Sequence, residues 1–221
     1  MNVAEGGASV ADGRDEAQRP LFERYDAADV RALIEAYPLA WVSGGSGAAI
    51  DASLLPLIGV YDADGNLIEL IGHLMRSNPL YATLSRDPDA TILFKGPDGY
   101  ISPQHAERRD WAPTWNYAQV KIGARIAFDE GLTEMSLKVL IDAMEAGRPA
   151  PWDVDELGER YRGMLTRIIG FRATVSSVSG KFKLGQDEDD ATLHTLLGAL
   201  SNDDLTDNAL VSWMRRFNSG R

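Results

Sequence analysis

The stretch AIDASLLPLIGVYDADGNLIELIGHL, residues 49–74, decides the architecture. Two runs rich in Leu, Ile and Val flank Asp64-Gly65, a dipeptide that favours the tight turn of a β-hairpin. They read as strands over 49–61 and 67–74. Further strand-like runs lie at 39–43, 90–94 and 117–128. Strands that follow one another without intervening helices indicate an antiparallel sheet or barrel, because parallel pairs need long crossovers. A short helix, Leu80–Leu84, follows Pro79 and separates the third run from the fourth.

Outward from this centre the periodicity changes. Val30, Leu33, Ile34 and Tyr37 make one helix face, with Asp26 as its N-cap and Pro38 as its stop. Leu137, Leu140, Ile141 and Met144 repeat that spacing over 133–146, and Gly147 with Pro149 ends it. Leu157, Tyr161, Met164, Leu165 and Ile168 make another apolar stripe. Strands over 168–178 and 182–184 are separated by Ser179-Gly180. Two helices close the chain, with stripes Leu193/Leu196/Leu197/Leu200 and Leu210/Trp213/Met214/Phe217. The pattern is α+β: an antiparallel barrel decorated by helices. Residues 1–19 read as a disordered tail, and 187–221 as a helical extension.

The 221 residues carry 22 basic and 33 acidic side chains, a formal charge of −11. Such a chain repels phosphate backbones, so nucleic acid is not an expected partner. The C-terminal 35 residues hold seven acids against three arginines, which is unlike a recognition helix. Cysteine is absent, which removes disulfides, thiolate nucleophiles and iron–sulfur clusters. No apolar run approaches the length of a membrane span, and the N-terminus lacks the pattern of a secretory leader. The expected location is cytoplasmic.

Three segments carry chemistry. In GHLMRSNP, residues 72–79, a strand ends at a cation, a hydroxyl and an amide before a helix start. Arg76 offers a bidentate fork for phosphate, Ser77 or Asn78 can cap the helix, and the amides of the first turn favour an anion. In APTWNY, residues 112–117, an aromatic beside an amide suits a flat heteroaromatic ligand through stacking and edge hydrogen bonds. In GKFKLGQ, residues 180–186, Lys181 and Lys183 share a strand face and could meet a phosphate or guard an edge. His73, His105 and His194 lack metal-ligand spacing, so no metal centre is expected.

Taken in order, Leu55-Pro56-Leu57, GHLMRSNP, GPDGYISP (96–103), APTWNY, Pro151-Trp152 and GKFKLGQ resemble the PaiB-type family. Its members are FMN-binding split-barrel proteins often labelled negative transcriptional regulators. The resemblance runs from about Pro20 to Gln186 and implies a six-stranded split β-barrel over 20–186, related to flavin reductases and pyridoxamine-phosphate oxidases. It also implies a homodimer with FMN in clefts between the subunits. Carried over, Arg76, Ser77 and Asn78 would hold the FMN phosphate. The backbone at Ser53, Leu54 and Leu55 would line the ring edge. His73, Thr114, Trp115, Asn116, Lys181, Lys183 and Gln186 would complete the pocket.

The chain departs from the family pattern at Leu54, Asp98 and Lys121, where histidine is usual, and at His105, where an aromatic is usual. The closing motif reads Gly185-Gln186-Asp187 instead of Ser followed by Gln-Asn. These departures nominate Asp98, Tyr100, His105 and Lys121 as acid–base candidates for a site that has lost flavin. The leading expectation is a flavin-dependent oxidoreductase or small-molecule enzyme. Alternatives are a transcriptional regulator and a haem protein using His73 or His105 as axial ligand.

Overall fold

The computed structural model describes residues 19–45 and 50–220. The expected tail up to residue 18 and residues 46–49 lie outside the described residues. Six strands form the sheet: β1 (Leu39–Gly44), β2 (Asp51–Tyr61), β3 (Leu67–Met75), β4 (Asp89–Ile101), β5 (Thr114–Asp129) and β6 (Ile168–Lys183). They close into an antiparallel barrel in the order β1-β2-β3-β6-β5-β4. Among the described residues six α-helices decorate it: α1 (Ala27–Ala36), α2 (Pro79–Arg86), α3 (Thr133–Glu145), α4 (Arg160–Leu165), α5 (Asp190–Ser201) and α6 (Asn208–Phe217).

The expected hairpin joins β2 to β3. Gly65 takes φ +85°, and the Asp62 carboxylate accepts the Asp64 and Asn66 amides across the turn. Gly72, opposite Leu57 in the ladder, faces the interior. A Cβ there would lie 2.5 Å from the Leu57 side chain and 2.8 Å from Phe171, so the barrel closes only around a hydrogen.

The described chain divides into two compact units. The first contains Ala27–Phe94 and Lys121–Val178. Its core is made by Ala40, Val42, Leu57, Leu70, Ile92, Phe94, Ile122 and Phe171, with Leu33 and Ile34 of α1 and Leu80 and Leu84 of α2. The second contains 19–26, Lys95–Val120 and 179–220. Here α5 and α6 bury Leu196, Leu200, Leu210, Val211 and Met214, and Phe182 stacks on Phe217 with ring centroids 4.8 Å apart. β4, β5 and β6 each run from one unit into the other.

Four sequence expectations are corrected. β4 runs beyond the expected 90–94, through Gly96-Pro97-Asp98-Gly99 to Ile101, although glycine and proline are disfavoured inside strands. β6 is one strand, with Ser179-Gly180 inside it; Gly180 is buried and its N–H donates to the Tyr25 hydroxyl at 2.8 Å. The stripe from Leu157 to Ile168 is not one helix. Gly158, at φ +56°, separates a short 3-10 turn from α4, and Ile168 begins β6. The stripe on α3 stays partly exposed, and the buried residues of that helix are Thr133 and Ser136.

Candidate functional site

In the first unit, the register of β3 against β6 carries the chain to Met75 opposite Ile168, and Arg76 extends that ladder by donating its N–H to the Arg167 carbonyl at 2.9 Å. The chain then turns. The Asn78 N–H reaches the Met75 carbonyl (2.9 Å), and Pro79 opens α2 with its fixed φ. Asn78 Oδ1 accepts the Leu80 N–H at 3.0 Å, the standard N-cap contact. The same amide meets Ser53 on β2: Nδ2 donates to Oγ at 2.9 Å, and the hydroxyl lies 3.1 Å from Oδ1. A second tie joins the Thr83 hydroxyl of α2 to the Asp51 carboxylate at the start of β2.

This geometry corrects one part of the anion reading. Pro79 has no N–H, the Leu80 N–H is taken by the cap, and the Tyr81 N–H goes to the Asn78 carbonyl. The first-turn amides are therefore spent. The side-chain donors at this corner are the Arg76 guanidinium and the exposed Ser77 hydroxyl. A guanidinium fork beside a hydroxyl at a strand end is a donor set that fits a phosphate monoester. Arg76 is not idle. It forms an ion pair with Glu130, on the 3-10 turn that follows β5. The hydrogen bond to that carboxylate holds the guanidinium above its ordinary pKa.

Leu54 and Leu55 diverge as strand alternation requires: Leu55 is buried, whereas Leu54 is 46% exposed and sits opposite Trp41 of β1. His73 lies on β3 opposite Gly170, half-buried, and its Nδ1 is buried without a hydrogen-bond partner. Burial pushes its pKa below the ordinary histidine value. Lys121 stands exposed on β5 in this unit.

The second unit gathers a different group. Lys183 Nζ bonds the Thr114 hydroxyl and lies 3.3 Å from the Trp115 carbonyl, above the Phe22 ring. Trp115 is 53% and Tyr100 49% exposed, and their rings meet edge-on at 6.2 Å. Lys181 is exposed on the same strand face as Lys183. Two other candidates turn inward. Asn116 is buried, with its amide 3.6 Å from Met214 Sδ. Gln186 closes the turn at Gly185 by accepting the Leu184 N–H and donating to the Phe182 carbonyl, both at 2.7 Å.

The acid–base candidates do not share partners. Asp98 pairs with Lys95, and Tyr100 with Trp115. His105 Nδ1 accepts the Ser102 N–H at 3.1 Å, so Nε2 carries the proton toward Asp203, also at 3.1 Å. Both ring nitrogens are thereby engaged, which leaves neither for a haem iron. Asp203 is held below the usual carboxylate pKa, first by the Leu205 N–H and with help from Thr206 and His105. Glu130 and Asp203 were missed by sequence reasoning. Their partners lie 54 and 98 residues away, and no local motif signals either pairing.

A closed six-stranded antiparallel barrel with peripheral helices defines a split-barrel protein, here with a cation and a hydroxyl at the β3–α2 corner. A family model described as "Putative FMN-binding domain" matches residues 18–177, and the chain belongs to that family. It is 26% identical over 137 residues to protease synthase and sporulation protein PAI 2 of Bacillus subtilis (strain 168), a match covering 61% of this chain. The match spans 66% of that relative, just under two thirds of its length. An uncharacterized protein of Emericella nidulans is 27% identical over 63% of this chain and 73% of its own.

Among solved structures, the FAD and haem binding protein from Mycobacterium smegmatis superposes with a TM-score of 0.57 at 17% identity, covering 76% of this chain and 77% of that one. The flavocytochrome Anf3 from Azotobacter vinelandii gives 0.51 at 18% identity, over 77% and 74%. At these identities the likeness is one of fold.

Proposed function

We propose that the chain is a cytoplasmic FMN-binding homodimer acting as a flavin-dependent oxidoreductase or small-molecule enzyme. The observation that carries this reading is the Arg76–Ser77 corner, placed at a strand end and fixed by the Ser53–Asn78 pair. In the proposal Arg76 and Ser77 hold the flavin phosphate. Asn78 and Ser53 keep the corner in shape, and the backbone at Ser53–Leu55 borders the ring. Bound flavin would supply the hydride or electron transfer that a chain without cysteine cannot provide by itself. Thr114, Trp115, Lys181 and Lys183 are proposed flavin contacts made by the second subunit, with Asn116 and Gln186 as the scaffold beneath them.

The dimer has support from one surface. Trp41 is 49% exposed on β1, in register with Leu54 of β2 and Leu93 of β4, and Leu39 is exposed two residues before it on the same face. Adjacent large apolar side chains left in water are characteristic of an interface. The family label of transcriptional regulator gains no support from α5 and α6, whose segment carries a net negative charge.

The test is the visible spectrum of the purified protein, followed by titration with FMN. Saturable binding with perturbed flavin bands is expected. A colourless protein that leaves the FMN spectrum unchanged at high micromolar concentration would remove the proposal.

A further inference from the structure

We infer that Glu130 is a specificity-determining residue: it occupies the anion position on Arg76 and sets how strongly a phosphate group counts in ligand choice. The inference rests on the FMN reading and deepens it. Arg76 is the cation of the corner, and its guanidinium is partnered by the Glu130 carboxylate. The two side chains differ in freedom, with 30% of Arg76 exposed against 73% of Glu130.

The backbone that carries Glu130 is fixed. Asp129 Oδ1 accepts the Gly131 N–H at 2.8 Å. Gly170 approaches so closely that a Cβ on it would lie 2.7 Å from the Leu132 backbone, and its N–H donates to the Thr133 hydroxyl at 3.1 Å. A carboxylate is thus presented to Arg76 from an anchored turn, on a side chain exposed enough to leave. A phosphate monoester must either displace it or bind beside it. In the first case the ligand forfeits an ion pair already made; in the second a dianion approaches a like charge. Either way the corner discriminates less between a phosphorylated flavin and its unphosphorylated parent than Arg76 alone would.

Glu130→Gln tests this, since glutamine keeps the shape and an acceptor oxygen but removes the charge. FMN and riboflavin would be titrated into both proteins by fluorescence. Inorganic phosphate would be titrated in parallel while the Arg76 side-chain N–H resonance is followed by NMR. The expected result is FMN binding tightened about fivefold, the scale of an exposed ion pair, with riboflavin unchanged and phosphate binding at Arg76 strengthened. Glu130→Asp should restore most of the wild-type ratio.

An unchanged FMN-to-riboflavin ratio, or FMN binding weakened in Glu130→Gln, would overturn the inference while leaving the FMN reading standing. Failure of both proteins to bind either flavin, with phosphate still gained at Arg76 in the variant, would sink the FMN reading and uphold the role of Glu130.

Discussion

The Asn78 side-chain amide does two jobs at once: its oxygen caps α2 at the Leu80 N–H, and its nitrogen donates to Ser53 Oγ, 2.9 Å away and 25 residues earlier. One side chain therefore holds a helix start against the edge of β2. Asn78→Ala removes the cap and the cross-link together and should cost about 1–2 kcal/mol, read as a lower urea midpoint at unchanged slope. Ser53→Ala removes only the link and should cost less. Equal effects from the two variants would show that the cap contributes nothing.

His73 predicts a pH dependence with a definite sign. Its folded pKa lies below the unfolded value of about 6.5 because burial disfavours the cation. Between the two values the unfolded chain binds the proton and the native chain does not, so stability falls as pH drops below about 6.5 and levels off under the folded pKa. His73→Gln should flatten that part of the curve. An identical slope between pH 7 and pH 5 in both proteins, measured by urea unfolding, would contradict the assignment.

The His105–Asp203 contact joins the segment after β4 to the loop between α5 and α6, assisted by Trp111 Nε1, which donates to Glu188 at 3.2 Å. His105→Ala should lower the thermal midpoint by about 2–4 °C. It should also speed proteolysis within 102–113, with flavin affinity unmoved. A large loss of flavin affinity with no thermal effect would return His105 to the list of ligand-contacting residues.

Trp41 tests the proposed dimer. Trp41→Glu places a charge among Leu39, Leu54 and Leu93 and should weaken self-association by at least about thirtyfold, the scale of an interface hot spot. Light scattering of wild-type and variant protein over a dilution series reads the change. A monomeric wild type would dispose of the dimer.

Much of this molecule is legible in its sequence, for reasons that differ by region. Asp64-Gly65 between two apolar runs fixes the β2–β3 hairpin because turn chemistry is local. Arg76, Ser77 and Asn78 are contiguous, so a strand end and a helix cap can be read from one octapeptide. Burial of Asn116 is less visible, because its amide meets Met214 of α6, 98 residues away, whereas Gln186 is buried on local backbone partners at Phe182 and Leu184. The length of β4 escaped because Gly96-Pro97 signals a turn locally, whereas Gly96 and Pro97 are buried within the strand. Glu130 escaped for the same kind of reason. It lies between the strand over 117–128 and the helix over 133–146, and nothing nearby announces an arginine 54 residues back in the chain.

In the proposed complex Arg76 receives the phosphate of a flavin. The most direct measurement compares FMN and riboflavin binding to wild type and to Arg76→Ala, by quenching of flavin fluorescence. The variant should lose roughly ten- to hundredfold in FMN affinity, as expected for a charge-assisted contact, while riboflavin affinity barely changes. Equal losses for both ligands, or none for either, would contradict the proposal.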